Sequence, residues 1–207
     1  MKDMRTIIIL ILAAAFNAAG AQTVDEMLDK AEQACMQIRS AVDGRSTQGV
    51  MQGMEMLEVI AFRNLTLKPV NTDGSAPIRG HLQYTMQYLD SLLLHDLDMG
   101  LIQIDGPIVM RGNRAPLRCT HRAVAPGASV TYAMEAQGQQ ALLVVPENGG
   151  RVNLYVDEKA SGRRLADESP EGKESCRLSW TVEKPSALNV TVENKSAKAV
   201  SFIVVSN

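Results

Sequence analysis

The sequence predicts an α+β protein in which N-terminal helices are followed by a C-terminal antiparallel β-sandwich of jelly-roll-like build. Three observations predict it. Apolar residues recur at three- and four-residue spacings as far as about Asp98, they alternate singly with polar ones from Ser129 onward, and Gly, Pro and Arg collect in between. The 207 residues are 45% hydrophobic and carry 21 Lys+Arg against 23 Asp+Glu, which leaves no basic field to hold nucleic acid. Such apolar content also excludes a disordered acidic chain.

The first element is an export signal. Lys2 and Arg5 form a basic start, Ile7 to Phe16 is an unbroken run of ten apolar residues, and Ala19-Gly20-Ala21 supplies the small residues a signal peptidase needs. Cleavage after Ala21 leaves a mature chain starting at Gln22. The rival is a membrane anchor, but a spanning helix takes roughly 20 apolar residues and Asn17 cuts this run short. The first cysteine is Cys35, too far from the cut for a lipid attachment. With no later long apolar segment, the expected protein is soluble, bacterial, and placed in the periplasm or outside the cell, with no membrane anchor after signal cleavage. Its organisation is a signal peptide over 1–21, a helical region over 22–98, a connecting segment over 99–116 and a sandwich over 117–207.

Three helices are expected. In the first, Val24, Leu28, Ala31, Cys35, Ile38 and Val42 lie along one stripe, Thr23 and Glu26 fit a capping box, and Asp25, Glu26 and Asp29 suit the positive end of the helix dipole. Asp43-Gly44 ends it. Ser46 or Thr47 caps a second, with Val50, Met54, Leu57 and Ala61 inward and Lys68-Pro69 limiting its extent. A third runs from about Pro77 to Asp98 on Ile78, Leu82, Met86, Leu89 and Leu93, with Gly100 beyond its end.

Six strands are expected after Ser129. Val130-Tyr132-Met134, Val152-Leu154-Val156, Cys176-Leu178-Trp180-Val182, Leu188-Val190-Val192 and Val200-Phe202-Val204 alternate, and Ala141 to Val145 is continuously apolar. Gly149-Gly150, Ser161-Gly162 and Asn194-Lys195-Ser196 are the turn signals. Leu101 to Met110 has the pattern of a hairpin around Asp105-Gly106.

Residues 127–207 resemble the bacterial pre-peptidase C-terminal domain family. The resemblance rests on Gly127 before the Val130-Tyr132 strand, Val152-Asn153-Leu154-Tyr155-Val156 followed by Ser161-Gly162 and Leu165, then Gly172, Trp180 and the closing Phe202-Ile203-Val204. It implies a β-sandwich accessory to secretion, targeting or the binding of macromolecules. Some members hold calcium through acidic loops, and Asn153 stands here where the family usually has Asp, which counts against that site.

Motifs for hydrolysis are missing from the string. His81, His95 and His121 are widely separated and no H-E-x-x-H or G-x-S-x-G occurs. Cys35 lies in an apolar stripe, where a buried thiol is the simpler reading than a nucleophile. Leu117, Cys119 and His121 share a strand face and Cys176 faces inward beside Trp180, so an oxidising compartment would let Cys119 and Cys176 join; the alternative is two unpaired core thiols. With that disulfide, the sandwich is expected to fold alone from about Arg111. The carboxylates Asp96, Asp98 and Asp105 lack the further ligands of a calcium loop, so no metal and no cofactor is predicted.

Two candidate binding clusters remain. Arg111, Arg114, Arg118 and Arg122 occupy a stretch free of Asp and Glu, suited to an anionic or acidic partner, or else to pairing with acidic helix starts or the 157–174 loop of the same molecule. His81, Tyr84, Tyr88 and His95 form a ridge on the third helix, for a glycan or peptide, or for packing on the sandwich. The function these readings support is an exported, non-catalytic binding or structural accessory protein with a protein or polysaccharide partner. The alternative is an exported hydrolase whose site is assembled from distant residues.

Overall fold

The computed structural model describes residues 23–60, 62–78, 117–147 and 149–207. The expected signal peptide, the hairpin at 101–110 and the third helix beyond Ile78 lie outside them. Helix α1 spans Val24–Asp43 and α2 spans Thr47–Ile60. At the start of α1 the Glu26 amide donates to Thr23 Oγ1 (3.2 Å) and the Thr23 amide to Glu26 Oε2 (3.0 Å), which completes the capping box. The Gly49 amide donates to Ser46 Oγ (3.2 Å) at the start of α2. The two helices meet at Gly53, where an added Cβ would lie 2.5 Å from Ile38 Cγ1, so only glycine permits this approach.

Eight strands form one continuous sheet: β1 (Arg63–Asn64), β2 (Lys68–Asn71), β3 (Arg118–Val124), β4 (Ser129–Pro146), β5 (Val152–Glu158), β6 (Arg164–Asp167), β7 (Cys176–Asn194) and β8 (Val200–Ser206). The order is β1-β3-β8-β4-β7-β5-β6, with β2 also on β4. Strands β4 and β7 are 18 and 19 residues long, and each takes part in both layers of the sandwich. The ladder between them bends where Ala136 faces Ser186 and Gly138 faces Val182, an irregularity that leaves Glu183 to Pro185 unpaired. Gly138 takes φ +73° there. Above the bend, β2, β4, β7, β5 and β6 make an outer layer; below it, β1, β3, β8, β4 and β7 make an inner layer.

The core between the layers joins Val130, Tyr132, Leu154, Val190 and Val192 of the outer layer to Leu142, Val144, Trp180, Phe202 and Val204 of the inner one. A second core lies on the far side of the inner layer, where Leu28, Ala31, Cys35, Ile38, Met54 and Leu57 of the helices cover Leu117, Cys119, Leu143, Val145, Ile203 and Val205. The inner layer is therefore apolar on both faces. That explains the continuous runs at Ala141 to Val145 and Val200 to Val205, since a strand buried on one side alone would alternate.

Residues 63–71 fall inside the expected helical region but run as strands instead. Strand β1 extends the inner layer at β3, β2 extends the outer layer at β4, and the link between them inserts Leu65 and Leu67 (4% and 5% exposed) into the sandwich core. The link thus closes one open edge of the sandwich. Electrostatic contacts tie α1 to the sheet as well: Arg177 pairs with Asp25 (2.8 Å) and with Asp29, Glu32 bonds Ser175, and Arg39 reaches Glu174 (2.8 Å). These acids on α1 meet Arg177 of β7, not the arginines of the 111–122 stretch.

The expected Cys119–Cys176 disulfide is not formed; all three cysteines are free and buried. Cys119 belongs to the helix-side core and Cys176 to the core between the layers. In the inner layer β8 and β4 stand between β3 and β7, so the two cysteines are separated by three strand spacings, about 14 Å, and point to opposite faces. A disulfide needs Cα atoms within about 7 Å. Burial pushes the thiols of Cys35 and Cys176 up to about 12 and that of Cys119 to about 11, so none is a ready nucleophile. Unfolded without reductant, the protein is expected to expose three reactive thiols, and its native melting temperature should not change with reductant. A count of one thiol would reject this placement.

Candidate ligand-binding face

The polar positions of the outer layer point away from both cores and are brought into rows by the strand register. One row holds Asn153 and Glu193, the next Tyr155, Thr191 and Thr131, and the third Asp157, Asn189 and Ala133. Strand β6 adds Ala166 beside Tyr155 and Arg164 beside Asp157. Adjacent strands stand about 4.8 Å apart, so short Thr, Asn and Ala side chains there form a shallow platform.

One end of the platform is tightly organised. Asn153 is buried (3% exposed), and its amide donates to the Ser169 carbonyl (3.1 Å), Glu193 Oε2 (3.3 Å) and the Tyr155 hydroxyl (3.4 Å) while accepting from the Ser169 amide (3.0 Å). The Tyr155 hydroxyl donates to Glu193 Oε2 (3.1 Å), and Lys195 Nζ donates to Glu193 Oε1 (3.3 Å). Burial of Tyr155, with hydrogen bonds to Glu168 and Glu193, raises its phenol to about 12. Burial alone would raise the Glu193 carboxyl, but hydrogen bonds from Tyr155, Lys195 and Asn153 outweigh it and the group sits below its ordinary value. At neutral pH this is a protonated phenol held by a carboxylate, a rigid donor–acceptor set with no free base in it.

The Arg164 guanidinium covers the Tyr155 ring at 4.7 Å and lies 3.7 Å from Asp157. Thr131 and Thr191 share a hydrogen bond across the strands (2.9 Å). Beside them, Asn189 Oδ1 is buried without a hydrogen-bond partner among the described residues. It is an acceptor in the middle of the platform with its bonding capacity unused.

Of the residues singled out from sequence, Arg118 and Arg122 are described, and both are engaged. Arg118 Nε donates to the Asn207 main-chain oxygen (3.1 Å), as does its Nη2. Arg122 donates to Thr120 Oγ1 (2.8 Å) and to the His121 carbonyl (2.6 Å), and it lies 5.3 Å from the Tyr132 ring centre. Their internal partners differ from the acidic ones expected. His81, Tyr84, Tyr88, His95, Arg111 and Arg114 lie outside the described residues. Burial and the neighbouring Arg122 lower the His121 pKa, and its Nε2 is buried without a partner among the described residues.

No helix of the described residues is long and apolar enough to cross a membrane. No family model matches the chain, and no curated protein does. Among solved structures it is similar to the Yersinia pseudotuberculosis-derived mitogen at 10% identity, over 44% of this chain and 84% of that one, with a TM-score of 0.35. It is also similar to Aeromonas hydrophila PliG, a periplasmic inhibitor of g-type lysozyme (11% identity, 48% and 91% coverage, TM-score 0.33). A third is the CBM22-1 xylan-binding domain of Paenibacillus barcinonensis Xyn10C (10% identity, 45% and 86% coverage, TM-score 0.25). Likeness at this level carries no function across to the present chain.

Proposed function

We propose that this chain is an exported, non-catalytic binding or structural accessory protein whose partner docks on the outer face of the outer layer. The observation that supports it is the fixed set of polar groups there: Asn153, Tyr155 and Glu193 locked together, the Thr131–Thr191 pair, and Asn189 Oδ1 with no bond of its own. Side chains held in place before contact lose little conformational entropy on binding. Hydroxyl and amide groups around a single aromatic ring suit the hydroxyls of a polysaccharide better than the apolar centre of a protein interface. Export rests on the N-terminal sequence pattern, and the accessory role accords with the family that residues 127–207 resemble.

Co-sedimentation of the chain from Gln22 with insoluble peptidoglycan, cellulose and xylan tests this reading. Retention on at least one is expected, and Tyr155→Ala with Arg164→Ala should weaken it by about tenfold, the effect of losing one good polar or ring contact. Undiminished retention of the double variant would place the site elsewhere, retention on none would leave a protein partner in its stead, and release of soluble fragments would make the protein a hydrolase.

A further inference from the structure

A cleft of about 360 Å³ opens where β5 and β7 diverge, at the end of the molecule away from the Asn153 network. One wall is the β5–β6 turn, with Glu158, Ala160, Ser161 and Arg163 toward the cleft; the other is β7 at its bend, with Thr181, Glu183 and Lys184. Both walls are fixed. In the turn, Ser161 Oγ donates to Glu158 Oε2 (2.7 Å), the Arg163 amide donates to Ser161 Oγ (3.2 Å), and Gly162 adopts φ +69°, a conformation that favours glycine. The Lys159 amide ties the turn to the Ala187 carbonyl (3.1 Å) and the Ala160 amide ties it to Ser186 Oγ (3.3 Å). On the other side, the irregular pairing between Ala136 and Gly138 turns Glu183 and Lys184 out of the ladder, which is how a bulge re-aims side chains beside a site.

The charges in the cleft are balanced but unused. Among the described residues the side chains of Arg163, Glu183 and Lys184 have no hydrogen-bond or ion-pair partner, while Glu158 is oriented by Ser161. We propose that this cleft binds a small zwitterion, whose carboxylate meets Arg163 and Lys184 and whose ammonium group meets Glu183 and Glu158. A ligand of one sign would find an opposing like charge within the same lining. A neutral sugar would find no aromatic ring to stack on, because none lines the cleft. The volume is at the small end for ligand sites, the size of an amino acid or a dipeptide. The proposal is independent of the platform on the outer layer, whose residues the cleft does not include.

Titration of the isotope-labelled chain from Gln22, followed by amide NMR shifts, tests it with alanine, alanyl-alanine, N-acetyl-alanyl-alanine amide and cellobiose as probes. Saturable shifts are expected at Ala160 to Arg163 and at Thr181 to Lys184 with alanyl-alanine, with alanine, or with both, the preferred probe separating a peptide ligand from a free amino acid. The blocked dipeptide should give none. Arg163→Ala and Glu183→Ala, both at exposed positions, should each weaken binding by about tenfold without a change in melting temperature. Absence of saturable shifts with both zwitterions, equal binding of the blocked dipeptide, or saturation of these residues by cellobiose would overturn the proposal.

Discussion

A fragment beginning at Arg111 is expected to fail to fold, whether or not its cysteines are oxidised. It would keep β3 to β8 but lose both helices, so Leu117, Cys119, Ala141, Leu143, Val145, Ile203 and Val205 would face water as one contiguous apolar surface. Five of these are large aliphatic side chains, each contributing about 1.5–3 kcal/mol through burial. Their combined loss, on the order of 10 kcal/mol, matches the whole net stability of an ordinary domain, about 5–15 kcal/mol. The fragment also lacks Leu65 and Leu67, which fill the sandwich from its open edge, and the strands β1 and β2 that pair with β3 and β4. Comparison of the fragment with the chain from Gln22 by thermal melting and dye binding should show a cooperative transition for the longer chain only. A cooperative melt of the fragment within a few degrees of the longer chain would mean that the sandwich is independent of the helices.

What could be read from the sequence follows the range over which each signal acts. The cap at Thr23 and Glu26, the stripe through Leu28, Cys35 and Ile38, and the turns at Gly44, Gly149 and Gly162 depend on residues a few positions apart, and each is found where the sequence places it. The alternation at Val152, Leu154 and Val156 and at Leu188, Val190 and Val192 likewise gives the buried side of each strand. Strand continuity is harder: Gln137-Gly138 and Glu183 to Pro185 look like breaks between separate strands, yet each is an irregularity inside one long strand, because a bulge and a turn use the same residues. Strands β1, β2 and β6 are two to four residues long and largely exposed, so they carry almost no periodic signal. The face of Cys119 required knowing that the inner layer is buried on both sides, a tertiary fact. The polar platform was legible only as outward positions; that Asn153, Tyr155 and Glu193 would converge depends on the β5–β7 register, which pairs residues about forty positions apart in the chain.

Charges placed at Leu142 and at Leu143 are each expected to unfold the protein, and the pair together identifies the architecture. The two are neighbours on β4, so their side chains point to opposite faces. In a sandwich with one face to water, Leu142→Asp would be ruinous and Leu143→Asp would be tolerated. Here both are fully buried, Leu142 in the core between the layers and Leu143 beneath the helices. An aspartate at either site gives up the burial of a leucine and leaves a carboxylate without a partner in an apolar surrounding, a loss of more than about 5 kcal/mol. Ala133→Asp is the control, on the outer layer above the bend and on its polar side, where the shift should stay within about 1 kcal/mol. Denaturant titration of the three variants decides between the arrangements. Near-native stability of Leu143→Asp would mean that the helices do not cover the inner layer, and the expected failure of the Arg111 fragment would lose its physical basis as well.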